Sequence, residues 1–271
     1  MYIRRIVLNW ANDLFHKFNR HLIVYRLPRT IASENKIMLN IGSGDWFCKG
    51  WTNLDHPSEW YANAQKKHIF IPYDIRSDII QFDDDSVDVI YCSHVIEHIE
   101  NIYIKKMFQE CFRILKRGGV FRIACPDAEF LYEISKLDTD YWNFMYHWTK
   151  KFCKNQNSIR NVDYLVANIA APKMLQYIHS INNEDYMIHF ETMSMYHFFE
   201  YLTQDLEFRK EFPGDHINYW TFEKAKKMLM DTGFDTVIRS KWGCSCSREM
   251  RNTVLFDNTR SNLSLYVDII K

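Results

Sequence analysis

The chain has no excess of either charge. Its 34 basic and 34 acidic side chains cancel, so it offers no basic stripe to a phosphate backbone, and a nucleic-acid partner is not expected. No apolar run approaches the roughly 20 residues that a bilayer-crossing helix needs, so no transmembrane segment is expected. A secretory leader is not expected either, because the opening stretch MYIRRIVLNWANDLFHKFNRHLIVYRL carries charges throughout. Repeats and low-complexity tracts are absent. The cysteines (Cys48, Cys92, Cys111, Cys125, Cys153, Cys244 and Cys246) are odd in number and scattered, unlike a disulfide framework. Several lie inside apolar runs, which reads as buried reduced thiols in a cytoplasmic protein. Cys244 and Cys246 form the one close pair, and no second Cys/His pair stands at ligand spacing, so no metal is expected.

What is present suffices for a full core: 47% of the 271 residues are hydrophobic, enough for one ordinary domain with an insertion or for two small ones. In the N-terminal stretch, residues 1–35, Ile3, Ile6, Val7, Trp10, Leu14, Phe18 and Leu22 recur at helical spacing. This predicts a helical extension that packs on its own domain or pairs two subunits in a homodimer. The basic residues Arg4, Arg5, Lys17, Arg20 and Arg26 also allow a membrane-surface role.

From Lys36 onward, short apolar strands alternate with helical stretches. KIMLNIG, WTNLD, HIFIPYD, VDVIYCS and GGVFRIACPD read as five strands. After the fourth, Ile104, Phe108, Cys111, Phe112 and Leu115 form one helical stripe before the glycine pair at Gly118. Strands apolar on both faces and separated by helices predict an α/β fold, a doubly wound and mostly parallel sheet covered on both sides. Residues 36–127 form the first part of this core. The alternation then stops: residues 128–215 are rich in aromatics, including Tyr132, Tyr141, Trp142, Phe144, Tyr146 and Trp148, and read as a helical insertion that either extends the core or covers the strand ends as a lid. Residues 216–271 return to the core, with a helix capped by Thr221 and stopped at Gly233, then two strands in DTVIRSKWG and LSLYVDIIK.

Three constellations carry chemistry. Gly42-Ser43-Gly44 follows a strand directly, where glycine lets backbone approach a ligand. A dinucleotide fingerprint would place a third glycine where Phe47 stands, and a phosphate loop would need Gly-Lys-Ser/Thr, which does not occur. The turn therefore suits a nucleoside ligand without phosphates, with Asp55 ending the next strand where a carboxylate can accept both ribose hydroxyls. The second constellation is His94-Val-Ile-Glu97-His98, which matches the letters of an inverted zinc-protease motif. It starts at a strand end rather than in mid-helix, and nothing in the sequence marks a third ligand. Either Glu97 or His98 pairs locally at the helix start, or His94 faces a cleft above the strand ends. The third is Pro126-Asp127 at the end of the fifth strand, with Gly214-Asp215-His216 ahead of the C-terminal helix. Polar groups at the carboxyl ends of parallel strands line the ligand crevice of open sheets.

These residues together resemble a class I S-adenosylmethionine-dependent methyltransferase, from about Lys36 to Asp127 and again from His216 to the C-terminus. LNIGSG is similar to the family's first motif, Asp55 to its ribose-binding acid and YDIR to its adenine-flanking segment. SVDVIYCSHVIEH resembles the fourth-strand motif, and LKRGGVFRIACPD the glycine turn and fifth strand. The resemblance implies a Rossmann-like fold with an antiparallel last strand. It implies S-adenosylmethionine as cofactor and S-adenosylhomocysteine as product, with Asn40, Gly42, Ser43, Gly44, Asp45, Trp46, Asp55, Asp74, Ile75, Ser93 and His94 around them. Two departures stand out. An acid that often precedes the first glycine is replaced by Asn40, leaving Asp45 or another acid to meet the methionyl amine. The gap from Gly44 to Asp55 is also too short for the usual helix, so Trp46, Phe47 and the N-terminal helices are expected to close that side. A similarly short gap occurs in small bacterial methyltransferases, some of them from surface-polysaccharide (capsule) pathways.

The resemblance implies methyl transfer to a small polar acceptor such as a nucleotide-linked sugar or a phosphoramidate-type group. A hydroxyl acceptor must lose its proton, for which His94, Asp127 and His216 are the catalytic candidates. An acceptor already ionised would instead want a cationic pocket, from among Arg122, Arg160, Arg209, Arg239 and Arg248. An N-methyltransferase, or a methyltransferase-fold protein that binds without turnover, are the alternatives.

Overall fold

The computed structural model describes residues 36–59, 61–66, 69–137, 141–142, 160–172 and 184–271. The expected N-terminal helices, and with them the homodimer contact, lie outside these residues, as does Cys153. Seven strands form one sheet: β1 (Met38–Ile41), β2 (Trp51–Asp55), β3 (Ile71–Pro72), β4 (Val87–Ser93), β5 (Leu115–Pro126), β6 (Thr236–Ser240) and β7 (Ser264–Ile270), in the order β3-β2-β1-β4-β5-β7-β6. The pairs from β3 through β5 are parallel, while β7 runs antiparallel to both β5 and β6. Each predicted strand is present, although the third is cut to two residues, and the last is reversed as the resemblance implies.

Helices α1 (Ala62–Gln65), α2 (Asn101–Ile114), α3 (Ala128–Ser135), α4 (Asn161–Ile169), α5 (Glu184–Thr192), α6 (Met195–Thr203) and α7 (Phe222–Met230) are described. The Thr221 side chain caps α7, accepting the Lys224 N–H at 3.2 Å, and Gly233 beyond its end has φ +110°. Leu115 does not extend the stripe of α2. The helix ends at Ile114 and Leu115 opens β5, pairing with Val87 ahead of a register shift before Val89 and Val120. The glycine pair therefore sits in a bulge of the strand rather than at the helix stop.

The two sheet faces are covered differently. Leu39, Ile41, Ile90, Cys92, Phe121 and Ile123 pack with Ile104, Phe108 and Cys111 of α2 and with Leu229 of α7. Met38, Val89 and Tyr91 point to the other face and cluster with Cys48, Trp51, Met250 and Phe256. Among the described residues no helix covers that second face. The β6–β7 connection, residues 241–263, lies across it instead. A third cluster joins α3, α4 and α6 through Leu131, Tyr132, Leu165, Phe198 and Phe199, with Trp142 and Tyr219, while residues 204–215 after α6 are turns and loop.

The thiols of Cys92, Cys111 and Cys125 are fully buried, and burial pushes each well above its ordinary value. Below pH 9 both folded and unfolded chains hold these protons, and above it only the unfolded chain releases them. Stability should therefore fall as pH rises beyond 9, approaching about 1.4 kcal/mol per pH unit for each thiol. Lys224, pushed down to about 8 by burial, acts in the opposite direction, but it is one group against three. Urea unfolding at pH 8 and pH 10 should show the loss, and Cys92→Ala should make it shallower. Equal midpoints at both pH values would contradict it.

Candidate functional site

The turn after β1 is built for close approach. Gly42 has φ +70°, and a Cβ on it would stand 2.2 Å from Val95 Cγ2, so no other residue fits without displacing that side chain. Its N–H donates to Leu54 O at 2.8 Å, tying the turn to β2. Gly44 has φ +55°, and a Cβ there would meet nothing within 4 Å, so this glycine borders open space. Its N–H donates to Asp55 Oδ2 at 2.8 Å, while Asp55 Oδ1 accepts the His56 N–H at 2.8 Å. Burial raises the Asp55 carboxyl, against the lowering effect of Gly44, Gln65 and His56. An ionised carboxylate has about four acceptor sites, so some remain beyond these backbone bonds.

The turn opens into a cleft of about 310 Å³ above the carboxyl ends of the strands. Every residue named above for the cofactor, from Asn40 through Asp55 and Asp74 to His94, lines it. Trp46 donates from Nε1 to Leu255 O at 2.5 Å and packs on Phe256 and Trp51, with ring centroids 5.3 and 5.6 Å away. Trp46 thus closes the side left by the absent helix, with the β6–β7 connection as its partner. Phe47 is 49% exposed. Asp74 holds Arg76 in a two-pronged pair, Oδ1 to Nε at 3.0 Å and Oδ2 to Nη2 at 2.8 Å. Burial would raise its carboxyl, but Arg76 and His56 hold it below the usual range. The Arg76 guanidinium lies 3.9 Å from the Phe208 ring centroid, and Phe208 N–H donates to Glu100 Oε1 at 2.9 Å. The segment after α6 is thereby fastened to the rim.

Arg76 and His98, each inside a stretch already read from the sequence, also line the cleft, as do Tyr61, Phe208, Asn258 and Thr259, which were not singled out from the sequence. These last four come from loops and from chain far from the motifs, and no spacing rule marks them.

At the other end, His94 holds a left-handed φ of +55°, with its N–H donating to Ala124 O at 2.7 Å. Its Nε2 is 2.9 Å from Ser264 Oγ and its Nδ1 is 3.0 Å from Glu97 Oε1. Glu97 is 1% exposed. Burial pushes its carboxyl up, but the charges of His94, His98 and His216 outweigh this and bring it down to about 2. Residues Ile96–His98 form a short 3₁₀ turn, so His94 and His98 are not an i, i+4 pair on an α-helix, and the protease geometry is absent.

The other candidates are placed elsewhere. His216 does not line the cleft and sits behind His98, with ring centroids 4.8 Å apart. Burial and the neighbouring His98 push its ring down to about 4. Asp127 is also outside the cleft. It caps α3 by accepting the Phe130 N–H at 3.2 Å, and it pairs with Arg239 Nη2 at 2.9 Å. None of the five arginines considered for an anionic acceptor lines the cleft. Arg122 is buried against Asp257 and Asp268, while Arg160, Arg209 and Arg239 pair with Asp163, Asp215 and Asp127. Arg248 opens the 3₁₀ turn Arg248–Met250.

Residues 51–123 match the family profile described as "Methyltransferase domain". No curated protein sequence matches the chain. Among solved structures, a SAM-dependent methyltransferase from Archaeoglobus fulgidus is 12% identical, with 96% of this chain and 94% of that chain covered and a TM-score of 0.43. An S-adenosylmethionine-dependent methyltransferase from Mesorhizobium loti is 13% identical over 93% and 97% of the two chains, with a TM-score of 0.43. A SAM-dependent methyltransferase from Aquifex aeolicus is 10% identical over 87% and 81%, with a TM-score of 0.40. The matched segment runs from β2 into β5 of a sheet whose last strand is reversed, and over these residues the chain is similar to a methyltransferase domain.

Proposed function

We propose that the protein methylates a hydroxyl oxygen of a small polar metabolite, with cofactor and acceptor sharing the one cleft. The observation that carries this reading is the continuity of that cleft. The glycine turn, Asp55 and Asp74 line one part of it, and His94 lines another. The open space beside Gly44 and the spare acceptor capacity of Asp55 fit a nucleoside. Asp55 would take the ribose hydroxyls and Asp74 and Ile75 would flank the adenine. Asn40, Ser43, Asp45 and Trp46 would surround the methionyl part, with Ser93 at its floor. When bound, S-adenosylmethionine supplies an electrophilic methyl group.

His94 is the group placed to take the acceptor's proton. Glu97 stands 3.0 Å from its Nδ1 and orients the ring, which leaves Nε2, now against Ser264, as the exchangeable position. Arg122, Arg160, Arg209, Arg239 and Arg248 lie outside the cleft, and Arg76, which lines it, is held by Asp74, an arrangement that favours a neutral hydroxyl over an ionised acceptor. A sugar-type hydroxyl of a surface-polysaccharide precursor fits this best. Phe208 and Pro213 at the rim support a covering role for the insertion. The six unpaired cysteines among the described residues support a reducing, cytoplasmic setting.

Titration calorimetry with S-adenosylhomocysteine tests the cofactor half. Hydrogen bonds to a charged group are worth about 1.5–3 kcal/mol, so Asp55→Ala should weaken binding by roughly 10- to 150-fold. Unchanged affinity in Asp55→Ala, or no binding to the unaltered protein, would overturn the reading.

A further inference from the structure

Among the described residues, Glu97 stands out. It is almost wholly buried, and neither carboxylate oxygen receives a well-directed hydrogen bond, despite the close approach of His94. A buried carboxylate in that condition is costly unless something satisfies it. The Arg260 charge also acts on it, and two further groups face it with ligand-capable nitrogens. His98 Nε2 is 4.0 Å from Glu97 Oε1, and His216 completes a set in which one ligand-capable atom from each residue lies within 4.8 Å of the others.

The outer contacts of the two histidines are informative. His98 Nδ1 is 2.9 Å from Asp215 O, and His216 Nδ1 is 2.5 Å from Asn168 O. A ring nitrogen held against a carbonyl carries the proton and donates it. In each neutral ring Nε2 is then the lone-pair nitrogen, aimed away from the backbone. This is the outer-shell pattern that fixes tautomer and orientation in metal-binding histidines. Two such rings and one buried carboxylate without hydrogen bonds are a His₂Glu donor set.

We propose that Glu97, His98 and His216 bind a first-row divalent cation, with zinc as the best-matched ion, at the wall of the cleft. Two imidazoles and one carboxylate suit zinc or cobalt, whereas magnesium prefers an all-oxygen shell. Bonds of about 2.0–2.2 Å require the three side chains to draw in by about 1 Å. His216, far from the His94-x-x-Glu97-His98 stretch in sequence, is the third ligand that stretch lacks. Three protein ligands leave a coordination position open, and His98 lines the cleft, so that position is available to an acceptor hydroxyl. This last role rests on the methyltransferase reading, but the metal site itself does not.

The test is calorimetric titration of the full chain, stripped with a chelator, against ZnCl₂, CoCl₂ and MgCl₂, with cobalt d–d absorption as a second readout. One zinc or cobalt per chain is expected, weakened at least 100-fold in both Glu97→Gln and His216→Ala. S-adenosylhomocysteine titrated into the same samples reports whether each variant is folded and keeps the cofactor pocket. No zinc or cobalt binding, binding of magnesium alone, or undiminished zinc binding in variants that still take S-adenosylhomocysteine would each overturn the site. A protein that binds zinc but not S-adenosylhomocysteine would keep the site and remove the methyltransferase reading.

Discussion

Replacing His94 by asparagine is expected to lower kcat for a hydroxyl acceptor by about 10²- to 10⁴-fold, the usual worth of a positioned general base. Asparagine is the suitable replacement because it tolerates a left-handed backbone, and His94 holds φ +55°. The variant should therefore fold and present a polar side chain at the same place, but without a basic nitrogen. Affinity for S-adenosylhomocysteine should change little, because Asp55 and the glycine turn are untouched. A role confined to proton removal lowers kcat and keeps cofactor affinity, whereas a positional defect would weaken both. A kcat within about threefold of the unaltered enzyme would remove His94 from the reaction. Stopped-assay transfer of a labelled methyl group to an acceptor pool provides the measurement.

The strands and the first half of the cleft were legible in the sequence for a physical reason. Each strand of a parallel sheet is buried on both faces, so VDVIYCS and MLNI read as mostly apolar runs. The turn between β1 and β2 must use glycine where Val95 crowds Gly42. The absence of the usual helix was legible too, as a length. What fills its place was not. Residues 241–263 are polar and irregular, and nothing in them announces that Leu255 and Phe256 will pack on Trp46. Of the two expected fillers, Trp46 makes the contact with Leu255, and Phe47 is half exposed.

The second half of the site was legible only as letters. Asp127 and Arg239 are 112 residues apart, and their pairing removes Asp127 from the cleft without leaving a trace in local sequence. His216 was picked out as a strand-end residue near a cleft, but its observed neighbours are His98 and the end of α4. The meeting of that loop with the His94-x-x-Glu97-His98 stretch is a tertiary fact. Leu115 shows the same limit at smaller scale: its apolar position satisfies a helical stripe and a strand equally, and strand pairing decided the outcome.

Arg122→Met is expected to destabilise the fold by about 3–5 kcal/mol, the cost of leaving a buried charge without its partner. Arg122 is fully buried in the middle of β5, and all five of its N–H groups are engaged. Nε and Nη2 reach the two oxygens of Asp257 at 3.0 and 2.6 Å, and Nη1 reaches Asp268 Oδ1 at 2.9 Å. The remaining two bonds go to Ser240 Oγ at 3.2 Å and Lys241 O at 2.9 Å. Burial alone would lower its pKa, and the two carboxylates more than reverse that. Methionine fills the volume but strands both aspartates in the interior, and lysine cannot reproduce the fork. For a chain of this size the melting temperature should drop by about 10 °C. Arg122→Met combined with Asp257→Asn and Asp268→Asn should recover most of the loss, since no charge is then left unpaired. A melting temperature unchanged in the single variant would show that these charges are not held as the contacts imply. The same variant should weaken S-adenosylhomocysteine binding. The ion cluster pins the β6–β7 connection to the sheet, and that connection carries Leu255, Asn258 and Thr259 to the cleft wall. A buried arginine remote from the ligand would then set how well the short glycine turn is closed.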